Sequence, residues 1–186
     1  MTMTTKTWLA VSAIVAASLW SIDGCGTAGN VRAIVKSETT EPDDDERSLA
    51  GLNGVGLVVE GGNPEQAGLS GADIKADAES MLQLSGIRIL TKAELLKTPG
   101  APYLYVNVNV VGKRDGMLSY AVSVELNQTV QLTRDQRIMI VGATTWRDGA
   151  AGISEASKAS DNILDEEGEE IGAFAEAYSA ANPKRK

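Results

Sequence analysis

The chain has 186 residues, a net charge of −8, one cysteine and no histidine. That length suits a single domain with appendages, large enough to bury a core without cross-links. The acidic balance excludes a nucleic-acid binder, which needs clustered Lys and Arg to displace counterions. The missing histidines remove the commonest general base and metal ligand, and Cys25 alone cannot form an intramolecular disulfide.

Near the start, Lys6 precedes residues 8–22, WLAVSAIVAASLWSI, an uncharged apolar run that ends at Asp23. The run is shorter than a membrane-spanning helix needs and has the positive-then-apolar layout of a secretory signal. Its end, Ile22-Asp23-Gly24-Cys25, resembles the lipobox of bacterial lipoproteins, which implies acylation of Cys25 and a signal occupying residues 1–25. Ordinary cleavage after Ala28, where Gly26 and Ala28 supply a small-x-small pattern, is the competing reading.

Residues 26–50 are expected to form a flexible acidic linker, because 37–48, SETTEPDDDERS, offers nothing to bury. Its Asp43–Glu46 run lacks the alternating oxygens and Gly turn of a calcium loop, so no metal is expected there. The folded domain is assigned to 51–183, with a basic tail at 184–186.

Residues 52–60, LNGVGLVVE, read as a first strand that ends at Gly61-Gly62-Asn63-Pro64. The following GGNPEQAGLSG has neither the Walker lysine nor GxGxxG, so no nucleotide cofactor is expected. Ser70 stands three residues before Asp73 in a capping-box arrangement. Ile74, Ala78, Met81 and Leu82 then recur at helical spacing, and Gly86 is placed for a C-terminal cap. Residues 87–90 are expected as a short second strand returning by a right-handed crossover. A helical turn over 91–97 precedes Pro99 and Pro102, which force an extended approach to the next strand.

That strand, 103–111, alternates Leu104, Val106, Val108 and Val110 with Tyr105, Asn107 and Asn109. After Asp115-Gly116 the alternation resumes at Leu118 and runs to Leu126 within 117–132. Strict alternation marks strands with one buried face, and Asp-Gly between them marks a hairpin. A last strand is expected over 137–147, interior at its start because both of its faces are apolar, and 148–160, rich in Gly and Ala, is read as a loop. A closing helix over 161–182 sets Ile163, Ile171, Phe174 and Tyr178 on one side and Glu166, Glu167, Glu170 and Glu176 on the other. Gly168 and Gly172 mark a kink or a close approach.

The fold class is therefore α+β, one mixed sheet with a β-α-β start, a long antiparallel hairpin, a further strand and a C-terminal helix packed on it. This order resembles small bacterial envelope domains, in outline the amino-terminal domain of the Tol translocation β-propeller protein and the lipoproteins that activate penicillin-binding proteins. Ser85-Gly86-Ile87, residues 102–106, Ala143-Thr144-Thr145-Trp146 and Asn182-Pro183-Lys184 likewise resemble exported bacterial proteins of uncharacterised role. The resemblance implies export to the periplasm or the outer membrane.

No catalytic, metal or cofactor-binding residue is expected. The function read from these features is that of a tethered envelope accessory module that binds an envelope protein through Tyr103, Tyr105, Asn107 and Asn109 on the central ribbon. A periplasmic small-ligand-binding domain and a carboxylate-dependent hydrolase are the alternatives.

Overall fold

The computed structural model describes residues 44–183. Cys25, the apolar run and the basic tail lie outside them. Four strands form one mixed sheet in the order β1-β2-β3-β4: β1 (Gly56–Gly62), β2 (Tyr103–Arg114), β3 (Met117–Leu132) and β4 (Asp135–Glu155). β1 runs parallel to β2, and the β2-β3 and β3-β4 pairs are antiparallel. Four α-helical segments accompany them: α1 (Asp44–Arg47), α2 (Gly71–Leu84), α3 (Lys92–Leu95) and α4 (Ala159–Ala181). The α+β class expected from the sequence is the fold observed.

Local chemistry explains most boundaries. Ser70 caps α2 by accepting from the Asp73 amide, and the Asp73 carboxylate accepts from the Ser70 amide in return. Asp115 and Gly116 join β2 to β3 with φ values of 52° and 79°. Both are positive, the geometry of a type I′ turn, whose twist matches the flanking strands.

Leu104, Val106, Val108 and Val110 of β2 and Leu118, Val122, Val124 and Leu126 of β3 are buried on one sheet face. α2 and α4 cover that face, contributing Ile74, Ala78, Leu82, Ile163, Ile171 and Phe174. The Phe174 ring meets Trp146 of β4 edge-on at 5.2 Å and Tyr178 at 6.1 Å.

Several expectations need correction. Residues 87–90 form no strand of the sheet: Ile89 makes one isolated bridge to Val55. Val55 bonds to Arg88 and Leu90 on one side, whereas the Gly56 amide turns the other way, to Pro102. The parallel partner of β1 is therefore β2. The segment is pinned between Gly86, with φ 71° after α2, and the capping box of α3 at Thr91, which leaves no length for a ladder.

Residues 148–155, expected as loop, belong to β4. Their small residues answer a packing need: a Cβ on Gly152 would lie 2.6 Å from the Tyr120 ring, and one on Gly149 would lie 2.7 Å from the Val122 carbonyl. The start of β4 is not interior either. Ile138, Met139, Ile140 and Val141 are 41%, 60%, 42% and 80% exposed, because β2 begins opposite Asn127 and the sheet beyond that point is only two strands wide.

α4 carries the expected apolar stripe, but Glu166, Glu167 and Glu170 are buried rather than solvated. Helical spacing puts them there: Glu167 is four residues from both Ile163 and Ile171, Glu170 four from Phe174 and Glu166 three from Ile163, so they share the side that the helix buries between α2 and the β3-β4 part of the sheet. The helix is continuous across Gly168 and Gly172. A Cβ on Gly168 would meet Met81 at an ordinary 3.7 Å, and one on Gly172 would meet nothing within 4 Å. The end of the presumed linker is also part of the fold: after the α1 turn, Leu49 is fully buried in the core.

Candidate interaction surface

The strand register sorts side chains onto two faces. Opposite the core, β2 presents Tyr103, Tyr105, Asn107 and Asn109, paired with Asn127, Glu125, Ser123 and Ala121 of β3. β4 continues the row with Thr144, Arg147, Gly149 and Ala151, and β1 adds Val58 and Glu60. The long helices α2 and α4 pack on the other face; on this one α3 reaches only the Gly56–Tyr103 end, where a Cβ on Gly56 would meet Leu95 at 2.8 Å, and α1 borders the β4 side through Asp45. The four residues read from the sequence as a docking site thus share one sheet face, with Tyr103 at the end that α3 reaches. All four are half-buried by their neighbours.

Hydrogen bonds hold this surface in a fixed arrangement. The Tyr105 hydroxyl donates to Glu60 Oε2 at 2.8 Å, and the carboxylate beside it raises the phenol above its usual pKa. Asn109 donates from Nδ2 to Asn107 Oδ1 at 3.0 Å and accepts the Gly62 amide on its own Oδ1 at 3.0 Å, stitching β1 to β2. The Thr144 hydroxyl lies 2.9 Å from Asn127 Oδ1 and 3.3 Å from Glu125 Oε2, which ties β4 to β3. Fixing these rotamers before a partner arrives lowers the entropy cost of binding.

Two shallow clefts open along β4. One, of about 480 Å³, is lined by Ser123, Glu125, Arg147, Asp148 and the small residues 149–151. The other, of about 210 Å³, lies between Asp45, Glu125, Thr144 and Arg147. Glu125 borders both. The clefts offer carboxylate, guanidinium and hydroxyl groups but no histidine or thiol, and the described residues hold no group of three or more His, Cys, Asp or Glu able to bind a metal ion.

β2, the proposed docking strand, is interior, so it offers a face rather than an edge. The sheet edges are β1 and β4, whose strand partners among the described residues are β2 and β3 respectively. Sequence reasoning missed the length of the β4 edge because the Gly- and Ala-rich end of β4 reads as a loop. Residues 147–155, RDGAAGISE, carry no apolar alternation that would have signalled the strand.

A separate polar feature lies beneath the sheet. Glu167 has no exposed surface, and neither carboxyl oxygen has a hydrogen-bond partner among the described residues. Burial, with a smaller contribution from Asp77 on α2, raises its pKa to about 8. The buried Tyr120 hydroxyl also lacks a partner, and burial, followed by the charges of Glu166, Asp165 and Glu169, raises its pKa.

No protein-family model matches the chain, and no curated protein matches it either. Its fold is similar to a crystal structure of a minor lipoprotein from Acinetobacter baumannii at 8% identity and a TM-score of 0.29, covering 69% of this chain and 92% of that one. A likeness that weak carries no weight for function.

Proposed function

We propose that this is an exported, membrane-tethered envelope module that binds a protein partner through the largely open face of β2 and β3. The observation that carries this reading is the largely open polar face itself. Two helices enclose one side of the sheet, while the other presents Tyr105, Asn107, Asn109, Ser123 and Glu125 in a hydrogen-bonded array beside a free β4 edge. Such an edge accepts an added strand through backbone bonds, and the side chains next to it select the partner. Export is supported by the uncharged run behind Lys6, and tethering by the cysteine that closes it.

Crosslinking in intact cells tests the interaction. A specific envelope protein should be captured with wild type and lost with Asn107→Arg or Asn109→Arg in chains that melt as wild type does. Capture of the same protein at undiminished yield by both variants would remove this face as the docking surface. Saturable binding of a small metabolite, with no protein captured, would favour the ligand-binding alternative.

A further inference from the structure

Beyond Asn127 and Thr144, β3 and β4 leave the sheet as a two-stranded ribbon that closes at Thr133-Arg134. The Thr129 amide bonds to Gly100 and the Tyr103 ring lies against Gly142, and past that point no backbone hydrogen bond joins the ribbon to another element among the described residues. At about 3.3 Å per residue it projects roughly 20 Å. Ile138, Met139, Ile140 and Val141 are consecutive, so they point to alternate faces, and all four are exposed. A patch of this kind on a folded domain marks an interaction site.

The chain that precedes the described residues enters at the base of this same ribbon. Ser48 Oγ lies 3.1 Å from the Thr145 carbonyl oxygen, and Gln128 Nε2 donates to the Ser48 carbonyl at 3.2 Å. In sequence Asp44 follows Cys25, the expected point of tethering, by nineteen residues. The chain also leaves there: the Asn182 amide group donates to the Leu49 carbonyl and accepts from the Gly51 amide, and Lys184, Arg185 and Lys186 follow. At the ribbon's far end stand Arg134 and Arg137, the latter held by Asp135 at 2.9 and 3.0 Å.

From this placement we infer that the 128–143 ribbon rests on a lipid surface, so that the end of the domain carrying the tether faces the membrane. The inference rests on the tethered reading of the chain. A protein groove or an added strand would cover one face or one edge of the ribbon, whereas a bilayer interface surrounds apolar side chains on both faces. The ribbon's unpaired backbone edges confine it to the hydrated headgroup layer, since hydrocarbon cannot satisfy them. In that layer Met139, Val141, Ile138 and Ile140 bury apolar surface while the arginines meet lipid phosphates. The acidic Asp44–Glu46 turn at the base repels anionic headgroups, leaving the ribbon as the contact.

The test uses the full chain with an environment-sensitive fluorophore at Met139→Cys or, as the far-end control on exposed Ser119, at Ser119→Cys. It is run with Cys25 retained and with Cys25→Ser, on vesicles of phosphatidylethanolamine and phosphatidylglycerol carrying a quencher in the headgroup layer. Quenching at position 139 should exceed that at 119 several-fold, and Val141→Asp should abolish the excess in a chain that melts as wild type does. Equal quenching at the two positions on a vesicle-bound chain would overturn the inference. So would 139-to-139 crosslinking between chains without lipid quenching, which would assign the ribbon to a second copy. Cell fractionation separates the two readings: if wild type is soluble the tether fails, and the ribbon is then judged by whether the soluble chain binds vesicles with position 139 quenched.

Discussion

A carboxyl group with no exposed surface and no hydrogen-bond partner is tolerated only when neutral, and Glu167, with its pKa raised to about 8, holds that state at neutral pH. The unfolded chain ionises near 4.5, so the folded state keeps its full stability below that pH and loses it as pH rises toward 8, after which the loss levels off. At about 1.4 kcal/mol per pKa unit the loss amounts to several kcal/mol. Glu167→Gln should therefore stabilise the domain markedly at pH 8 and hardly at pH 4, as urea titrations at the two values would register. An equal effect at both would contradict the assignment. Tyr120 makes a second demand, since its ring fills the space a Cβ on Gly152 would occupy. Gly152→Ala should cost about 1–3 kcal/mol by overpacking, measurable in the same titration. The demand at Gly152 was not legible in the sequence, whereas the burial of Glu167 was available from helical spacing and was misread. Glu167 stands four residues from both Ile163 and Ile171, on the apolar stripe itself, while Gly152 sits in a stretch whose composition suggests a loop. Each role is set by a neighbour distant in the chain, α2 in one case and β3 in the other. Tyr103, Tyr105, Asn107 and Asn109 were legible because period-two alternation alone sets the face a strand residue takes.

The elements read correctly are those with strong local signals: the Ser70-Asp73 box of α2, the Asp115-Gly116 turn and the alternating β2-β3 pair. Those misread depend on pairing. Residues 87–90 look like a strand yet make one bridge, because β1 gives its ladder to β2. β4 is longer than its apolar stretch, because β3 supplies a partner through to Glu155. The α1 turn and Leu49 look like linker because a single apolar residue after an acidic run has no periodicity. Leu49 is nonetheless fully buried, so Leu49→Ala should cost about 2–5 kcal/mol. A loss within a few tenths of a kcal/mol in urea would show that the fold begins after this residue.

Taken together, one sheet face closed by α2 and α4, one largely open face, one projecting ribbon and both ends of the described residues near the ribbon's base give the domain a direction. In the proposed arrangement the tether and ribbon define one side, and the open face and β4 edge remain for a partner. Cys25→Ala should move the protein from the membrane to the soluble fraction without changing its melting temperature. A wild type that is itself soluble and begins near Gly29 would replace tethering with ordinary secretion. The docking surface is tested most directly by photo-crosslinking in intact cells, with the reactive side chain placed in turn at Ser123 on the open face and at Glu79 on exposed α2. A discrete envelope protein captured from Ser123 and absent from Glu79 is the predicted result. Equal capture from the two positions, or capture from Glu79 alone, would contradict it.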